Sequence, residues 1–266
     1  MKDIKLKYKP MEKRIQNQSD NYYIRDMNEW NNVNAKFILT DCPFGIKFTG
    51  KKGNYNRKKE LVVDGYIEWS IEEYGERIEE LLTVIERNLV RNGQALILSG
   101  WNNSNIIHDK ILSSNLILQG KLYWSYNFAV YSRKRPAHNI YEIFWVTKSN
   151  EWFYQNKCST IHCSKGEANL STLAFKRDYK VGLPKYPNRL AYNLIQCILE
   201  HFTEENDLVF DCLAGSGMLG VVCYALNRKF LLGDLNNNGK RVFQELLAHY
   251  IPKIDQTTLP FIFRKK

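Results

Sequence analysis

The chain has 266 residues, 44% of them apolar, 13% aromatic and 25% charged, which is the composition of a soluble globular protein long enough to bury about three quarters of its unfolded surface. Its longest apolar runs, near 94–98 and 207–213, fall far short of the roughly 20 residues of a spanning helix, so no membrane partner is expected. With 38 basic against 28 acidic residues the net charge is +10, which points to a polyanionic partner. The charged start MKDIKLKYKPMEKR lacks the apolar stretch of a secretory signal, so a cytoplasmic setting is expected, and with it six free cysteine thiols rather than a disulfide framework.

Residues 1–35 are polar and weakly patterned. Lys36–Thr40 reads as a short buried strand entering a turn at Asp41–Gly45, and 46–66 as a long polar loop. Apolar residues at Ile71, Tyr74, Ile78, Leu81, Leu82, Ile85 and Leu89 have helical spacing, which predicts a helix from Ser70 to Val90 that ends at Asn92-Gly93. A strand over Gln94–Ser99, a helix over Asn102–Ser113 and strands over Ile117–Phe128 and Ile140–Thr147 follow, the last two flanking a turn at Arg133–Pro136. Residues 150–183 lack pattern. Pro187 is expected to open a helix reaching Phe202, followed by a strand at Asp207–Asp211, a helix at Ser216–Asn227, a strand at Lys229–Gly233 and a helix at Asn238–Tyr250. Alternating strands and helices predict a mainly parallel sheet covered on both faces, with Trp69, Trp101, Trp124 and Trp145 in its core.

Two basic clusters stand out as candidate phosphate contacts: Lys51, Lys52, Arg57, Lys58 and Lys59 in the polar loop, and Arg133, Lys134 and Arg135 in the later turn. The segment Leu208–Gly220 joins a strand, a glycine turn and a helix of small and apolar residues. Gly215, Gly217 and Gly220 match the G-x-G-x-x-G spacing, and Asp234 stands at the end of the next strand. Glycines let the backbone approach a nucleotide, and a carboxylate at the next strand end can bind both ribose hydroxyls. A nicotinamide dehydrogenase shares that pattern. The stretch that follows Asp234, however, is too short for the remaining strands of a dinucleotide-binding sheet, so the nucleotide half is C-terminal and the catalytic half N-terminal. Cys158, His162 and Cys163 lack the paired spacing of a zinc module, and no metal is expected.

Thr40-Asp41-Cys42-Pro43-Phe44-Gly45-Ile46 resembles the D-P-P-Y catalytic motif of the amino-methylating DNA methyltransferases, and Phe210-Asp-Cys-Leu-Ala-Gly-Ser-Gly217 resembles their AdoMet-binding F-x-G-x-G motif. The catalytic motif, at Asp41, comes first and the AdoMet motif, at Asp211, far downstream, the order of their beta group. Asp26, the strand end Leu96–Trp101, the hairpin Tyr131–Lys148 and the segment Asn227–Asp234 fall into the same order, so the resemblance spans roughly 22–250. It departs from the family where Cys42 replaces the first proline, Phe44 a tyrosine, Cys212-Leu213 a P-F pair, and Lys185-Tyr186-Pro187 a K-P pair.

The resemblance implies a class I AdoMet-dependent methyltransferase fold, a Rossmann-like mixed sheet in permuted order within one domain over 1–266. Its catalytic half is 22–149, its AdoMet-binding half is 184–250, and 150–183 is a small target-recognition insertion. It assigns catalysis to Asp41, Cys42, Pro43 and Phe44, and S-adenosyl-L-methionine to Asp26, Asp211, Leu213, Ala214, Gly215, Ser216, Gly217, Asp234 and Leu235. An exocyclic base amine is a poor nucleophile because its lone pair is delocalised into the ring. The Asp41 carboxylate and the Cys42 carbonyl can accept its two hydrogens and aim that lone pair at the methyl donor, while Phe44 stacks on a base flipped out of double-stranded DNA. The expected activity is methylation of adenine N6 in a restriction-modification setting, with the protein held near the nucleoid by its DNA. Cytosine N4 is the alternative acceptor, and a silent DNA-binding partner of an active enzyme is the alternative role. The short recognition region suggests a homodimer or a paired methyltransferase subunit.

Overall fold

The computed structural model describes residues 11–46, 68–126, 133–134, 136–156, 158–160, 171–178, 182–184, 186 and 188–258. In chain order the strands are β1 (Tyr22–Ile24), β2 (Ala35–Asp41), β3 (Leu89–Ser99), β4 (Ile117–Ser125), β5 (Ile140–Thr147), β6 (Thr172–Ala174), β7 (Leu208–Asp211) and β8 (Lys229–Asp234). The helices are α1 (Met11–Ser19), α2 (Tyr74–Asn88), α3 (Ser104–Leu112), α4 (Tyr192–Phe202), α5 (Met218–Ala225) and α6 (Asn237–Thr258), with a 3-10 turn at Met27–Glu29. The strands form one sheet in the order β1-β8-β7-β2-β3-β5-β4-β6. From β1 to β3 the neighbours run parallel; β5 is antiparallel to both β3 and β4, and β6 runs parallel to β4.

Successive strand residues point to opposite faces, and both faces are apolar. Phe37, Leu39, Leu96, Leu98 and Val209 join one buried cluster with α4, α5 and α6, while Ile38, Ala95, Ile97 and Phe210 join the other with α2 and α3. In α2 the residues Ile78, Leu81, Leu82 and Ile85, one helical face, are at most 3% exposed. The central strands β7 and β2 lie side by side, and the chain leaves them in opposite directions across the sheet, towards β8 from one and towards β3 from the other. Such a reversal opens a crevice at the carboxyl ends of the strands.

Several elements differ from the expectation. The polar opening holds α1 and β1, the latter too short for periodicity to show. β3 begins at Leu89, before the expected stop at Asn92-Gly93, because its pairing with β2 jumps from Ala35–Leu89 to Phe37–Gln94 and absorbs the intervening residues. The helix expected from Pro187 starts only at Tyr192. Asn188 has a left-handed φ of +59°, which breaks a helix there, and Asp178 Oδ2 accepts the Tyr192 N–H at 2.7 Å. α6 runs past Tyr250 to Thr258, with Ile251 buried against the core. Trp101 leaves the core: it is 45% exposed and stacks on His138 at 4.3 Å. Cys42, Cys197, Cys212 and Cys223 are free and buried, but Cys158 is disulfide-bonded, so not every cysteine is the expected free thiol. No helix among the described residues is long and apolar enough to cross a membrane.

Candidate active site at the carboxyl ends of the central strands

β7 ends at the buried Asp211, whose Oδ1 accepts the Leu213 N–H at 3.0 Å and turns the chain into the glycine loop. Gly215 and Gly217 then take φ values of +49° and +71°, the left-handed region that disfavours side chains. A Cβ on Gly217 would stand 2.7 Å from the Phe243 ring, so packing beneath the loop demands glycine as well. The loop is anchored on three sides. Gly215 N–H donates to Asp234 Oδ2 at 2.8 Å, the Tyr22 hydroxyl donates to Gly215 O at 2.7 Å, and Ala214 N–H donates to Gly233 O at 2.9 Å. Asp234 Oδ1 accepts the Asn236 N–H at 2.8 Å. Ser216 is buried beside the loop and Leu235 exposed at its rim. Asp26 follows β1, whose Ile24 pairs with Asp234, and its carboxylate accepts the Asn28 N–H at 2.8 Å to cap the 3-10 turn. The residues assigned to the cofactor thus gather at the ends of β1, β8 and β7.

Across the crevice, Asp41 closes β2. Its Oδ1 is shielded from solvent and has no hydrogen-bond partner among the described residues. The Cys42 side chain turns into the core, where its Sγ donates to Leu98 O at 3.4 Å. Phe44 is half-buried after Pro43, meeting Tyr141 edge-on at 5.2 Å. Gly100 passes so close that a Cβ there would lie 3.0 Å from the Phe44 ring. Asn103 Nδ2 donates to Phe44 O at 2.6 Å and Gly45 N–H donates to Glu68 Oε1 at 2.8 Å, which fixes the path of the loop.

Electrostatics tie the two sides together. Burial pushes the Asp41 carboxyl up to about 7; the Arg177 guanidinium pulls it back in part and Glu68 adds to the rise. Burial likewise pushes Asp211 up to about 8 against the hydrogen bond from Leu213, with Asp234 and Asp41 contributing. Asp234 is raised by burial, opposed by the N–H groups of Asn236 and Gly215. Burial pushes the Tyr186 hydroxyl up, with Asp234 and Asp41 adding to the rise, and its ring covers Gly215. Burial thus shifts the three carboxyl groups towards their protonated forms, and a cationic ligand entering the crevice would favour their ionised forms.

Sequence reasoning missed Tyr22, Tyr186 as a cover over the loop, and Arg177. The Arg177 guanidinium stands 4.4 Å from the Tyr126 ring, 4.8 Å from Trp124 and 5.0 Å from Tyr141. No local spacing signals these residues; long-range pairing brings them in. Of the basic clusters, Arg133 and Lys134 are exposed, while Lys51, Lys52, Arg57, Lys58, Lys59 and Arg135 lie outside the described residues.

A family model described as DNA methylase, covering the N6 and N4 methyltransferases, matches residues 35–245. Among solved structures, M1.HpyAVI in complex with SAM superposes with a TM-score of 0.61 at 18% identity, over 85% of this chain and 98% of that one. The cytosine-N4-specific PvuII DNA methyltransferase gives 0.61 at 16% identity, over 88% and 91%. A putative DNA modification methylase from Thermus thermophilus, solved with S-adenosyl-L-methionine, gives 0.61 at 14% identity, over 87% and 95%. No curated protein sequence matches the chain. At these identities the superpositions establish the class I methyltransferase fold.

Proposed function

The chain belongs to the N6/N4 DNA methylase family, with DNA as substrate and S-adenosyl-L-methionine as methyl donor, and on that premise we propose that it methylates the N6 amino group of adenine in double-stranded DNA. The observation that carries this reading is the shielded Asp41 Oδ1, a buried acceptor without a donor among the described residues, across one crevice from the glycine loop. A buried acceptor left unpaired costs about 1–3 kcal/mol, and an exocyclic amine supplies the missing donor.

The residues present fit the cofactor. Gly215 and Gly217 offer backbone without side chains, Asp234 at the end of the next strand would accept the ribose hydroxyls, and the buried carboxyl groups would ionise in favour of a positively charged donor. When bound, S-adenosyl-L-methionine supplies an electrophilic methyl group on a sulfonium. Asp41 and the Cys42 carbonyl would accept the two amine hydrogens, hold the nitrogen lone pair towards the glycine loop and stabilise the positive charge that grows on the amine. Phe44 offers an aromatic face for the flipped base, and Tyr141 and Gly100 hold its ring. Arg133, Lys134 and the basic residues of the 51–59 stretch would contact phosphates.

The resemblance to the amino-methylating family favours adenine, since an acidic residue at the first catalytic position goes mostly with that base there and Asp41 holds the position here. The fold also accommodates a cytosine-N4 enzyme, as the PvuII methyltransferase demonstrates, so that acceptor stands as the second reading. Cys42 does not argue for a silent subunit, because its thiol is absorbed in the core and leaves the loop's anchors intact. The deciding experiment is digestion of treated DNA to nucleosides followed by mass analysis. N6-methyladenine is expected; N4-methylcytosine alone would overturn the adenine assignment, and neither product would restore the silent partner.

A further inference from the structure

Away from the crevice, at the end of α4 that leads towards the start of β7, three soft side chains meet. Cys197 and His201 are four residues apart on α4, so they lie one above the other on a single face. Cys158 is brought against them: its Sγ lies 3.6 Å from Cys197 Sγ, and one donor atom from each of the three residues lies within 4.8 Å of the other two. Thiolates bound to tetrahedral zinc at about 2.3 Å are about 3.8 Å apart, so the two sulfurs already sit near ligand spacing.

The surroundings match a metal site in two further respects. His201 Nδ1 lies 2.7 Å from Cys197 O and 3.6 Å from Cys197 Sγ, which sets the imidazole against the thiol. A backbone carbonyl beside the ring is a usual means of holding a ligating histidine in place. The stretch bearing Cys158 is itself held on α4, because Ser159 Oγ donates to Glu200 Oε1 at 2.7 Å and accepts from Gln196 Nε2 at 2.7 Å. Cys197 and His201 are buried, while Cys158 borders an open cleft of about 570 Å³ lined also by Glu200, Glu204 and Glu205. Those carboxylates draw cations to the cleft and give an ion its route inward.

We propose that Cys158, Cys197 and His201 bind one Zn²⁺ in the reduced protein, a structural site that clamps the chain beyond β5 onto α4. Two thiolates and an imidazole select zinc over magnesium or calcium. A water molecule or one further side chain completes four-coordination. Cys158 is disulfide-bonded in this structure, and a thiolate rather than a disulfide is the ligand, so binding requires reduction. The inference stands independently of the methyl-transfer reading.

Co²⁺ titration of the tag-free, full-length protein, reduced and kept anaerobic, tests it, since cobalt in a tetrahedral thiolate site shows sulfur-to-metal charge transfer and intense visible bands. One Co²⁺ per chain is expected, displaced by Zn²⁺, with no bands in protein oxidised by diamide. Cys158→Ala, Cys197→Ala and His201→Gln should each weaken Co²⁺ binding at least about 100-fold. Cys158 is the most accessible of the three, so its variant keeps the test valid if the buried ones misfold. Reduced wild-type protein without thiolate–cobalt bands, or bands unchanged in Cys158→Ala, overturns the proposal.

Discussion

Asp234 and Asp41 are both carboxylates at the ends of parallel strands, one on either side of β7, and their surroundings are opposite. Both oxygens of Asp234 already accept backbone N–H groups, and the loop it anchors is tied again by Tyr22 and Gly233. Asp41 Oδ1 is just as dry and accepts nothing among the described residues. The glycine side of the crevice is therefore finished before any ligand arrives, whereas the β2 side is incomplete and waits for a donor. A preformed cradle lowers the ordering cost of binding, and an orphaned acceptor makes the site most complementary to the group that completes it.

The sharpest way to break the comparison is Asp41→Ala, which removes the open acceptor and leaves the cradle alone. Methyl incorporation should fall by ~10²–10³, with binding of S-adenosyl-L-methionine and DNA retained in calorimetry. Full activity would show that Asp41 is not the amine acceptor. Next comes Asp234→Ala, which unties Gly215 N–H and removes the ribose partner; S-adenosyl-L-methionine affinity should drop by ~1–3 kcal/mol. Unchanged affinity alongside tight NADH binding would return the glycine loop to the dehydrogenase reading.

Acid sharpens the same contrast. Asp41 must be ionised to accept the amine hydrogens, and with its carboxyl near 7 the methylation rate should fall about tenfold per pH unit below that value. Stability moves the other way. A folded value of about 7 against about 3.9 for an unfolded aspartate means that folding takes up a proton between them, so this contribution is present below about pH 4 and is lost as pH rises to about 7. Thermal denaturation of Asp41→Asn should therefore show a flatter pH dependence than wild type across that window, and an identical slope would count against the shift. The smallest effect belongs to Tyr22→Phe, which deletes one hydroxyl bond to Gly215 O and should cost ~1 kcal/mol of stability in denaturant titration while leaving the acceptor side untouched.

Much of the crevice was legible because each half carries its own local signal. The run Val209–Gly217 announces strand, turn and helix, and Thr40–Gly45 announces a strand that stops at a carboxylate. What stayed hidden depends on contacts between distant segments. Arg177 is near Asp41 only because β6, a strand of 3 residues, pairs with β4 and delivers the following residues to the Trp124, Tyr126 and Tyr141 rings. Tyr186 follows a segment without periodicity. Asn188 could not be read as a helix breaker, since nothing local marks its left-handed backbone. Cys197 and His201 fall on an apolar helical face where core residues are the ordinary reading, so only the fold sets them beside Cys158.

Among the described residues β1 joins the sheet through β8 alone, with Tyr22 opposite Leu232, so two strands far apart in sequence are paired. During synthesis Tyr22 therefore emerges long before the strand it pairs with, and the hydroxyl that holds Gly215 O has nothing to hold until nearly every other element has been made. Contacts of such sequence separation form late and slowly. The glycine loop is consequently fastened only after β8 has been made, and a nascent chain halted before β8 would present β7 as an open edge to whatever strand or chaperone meets it first.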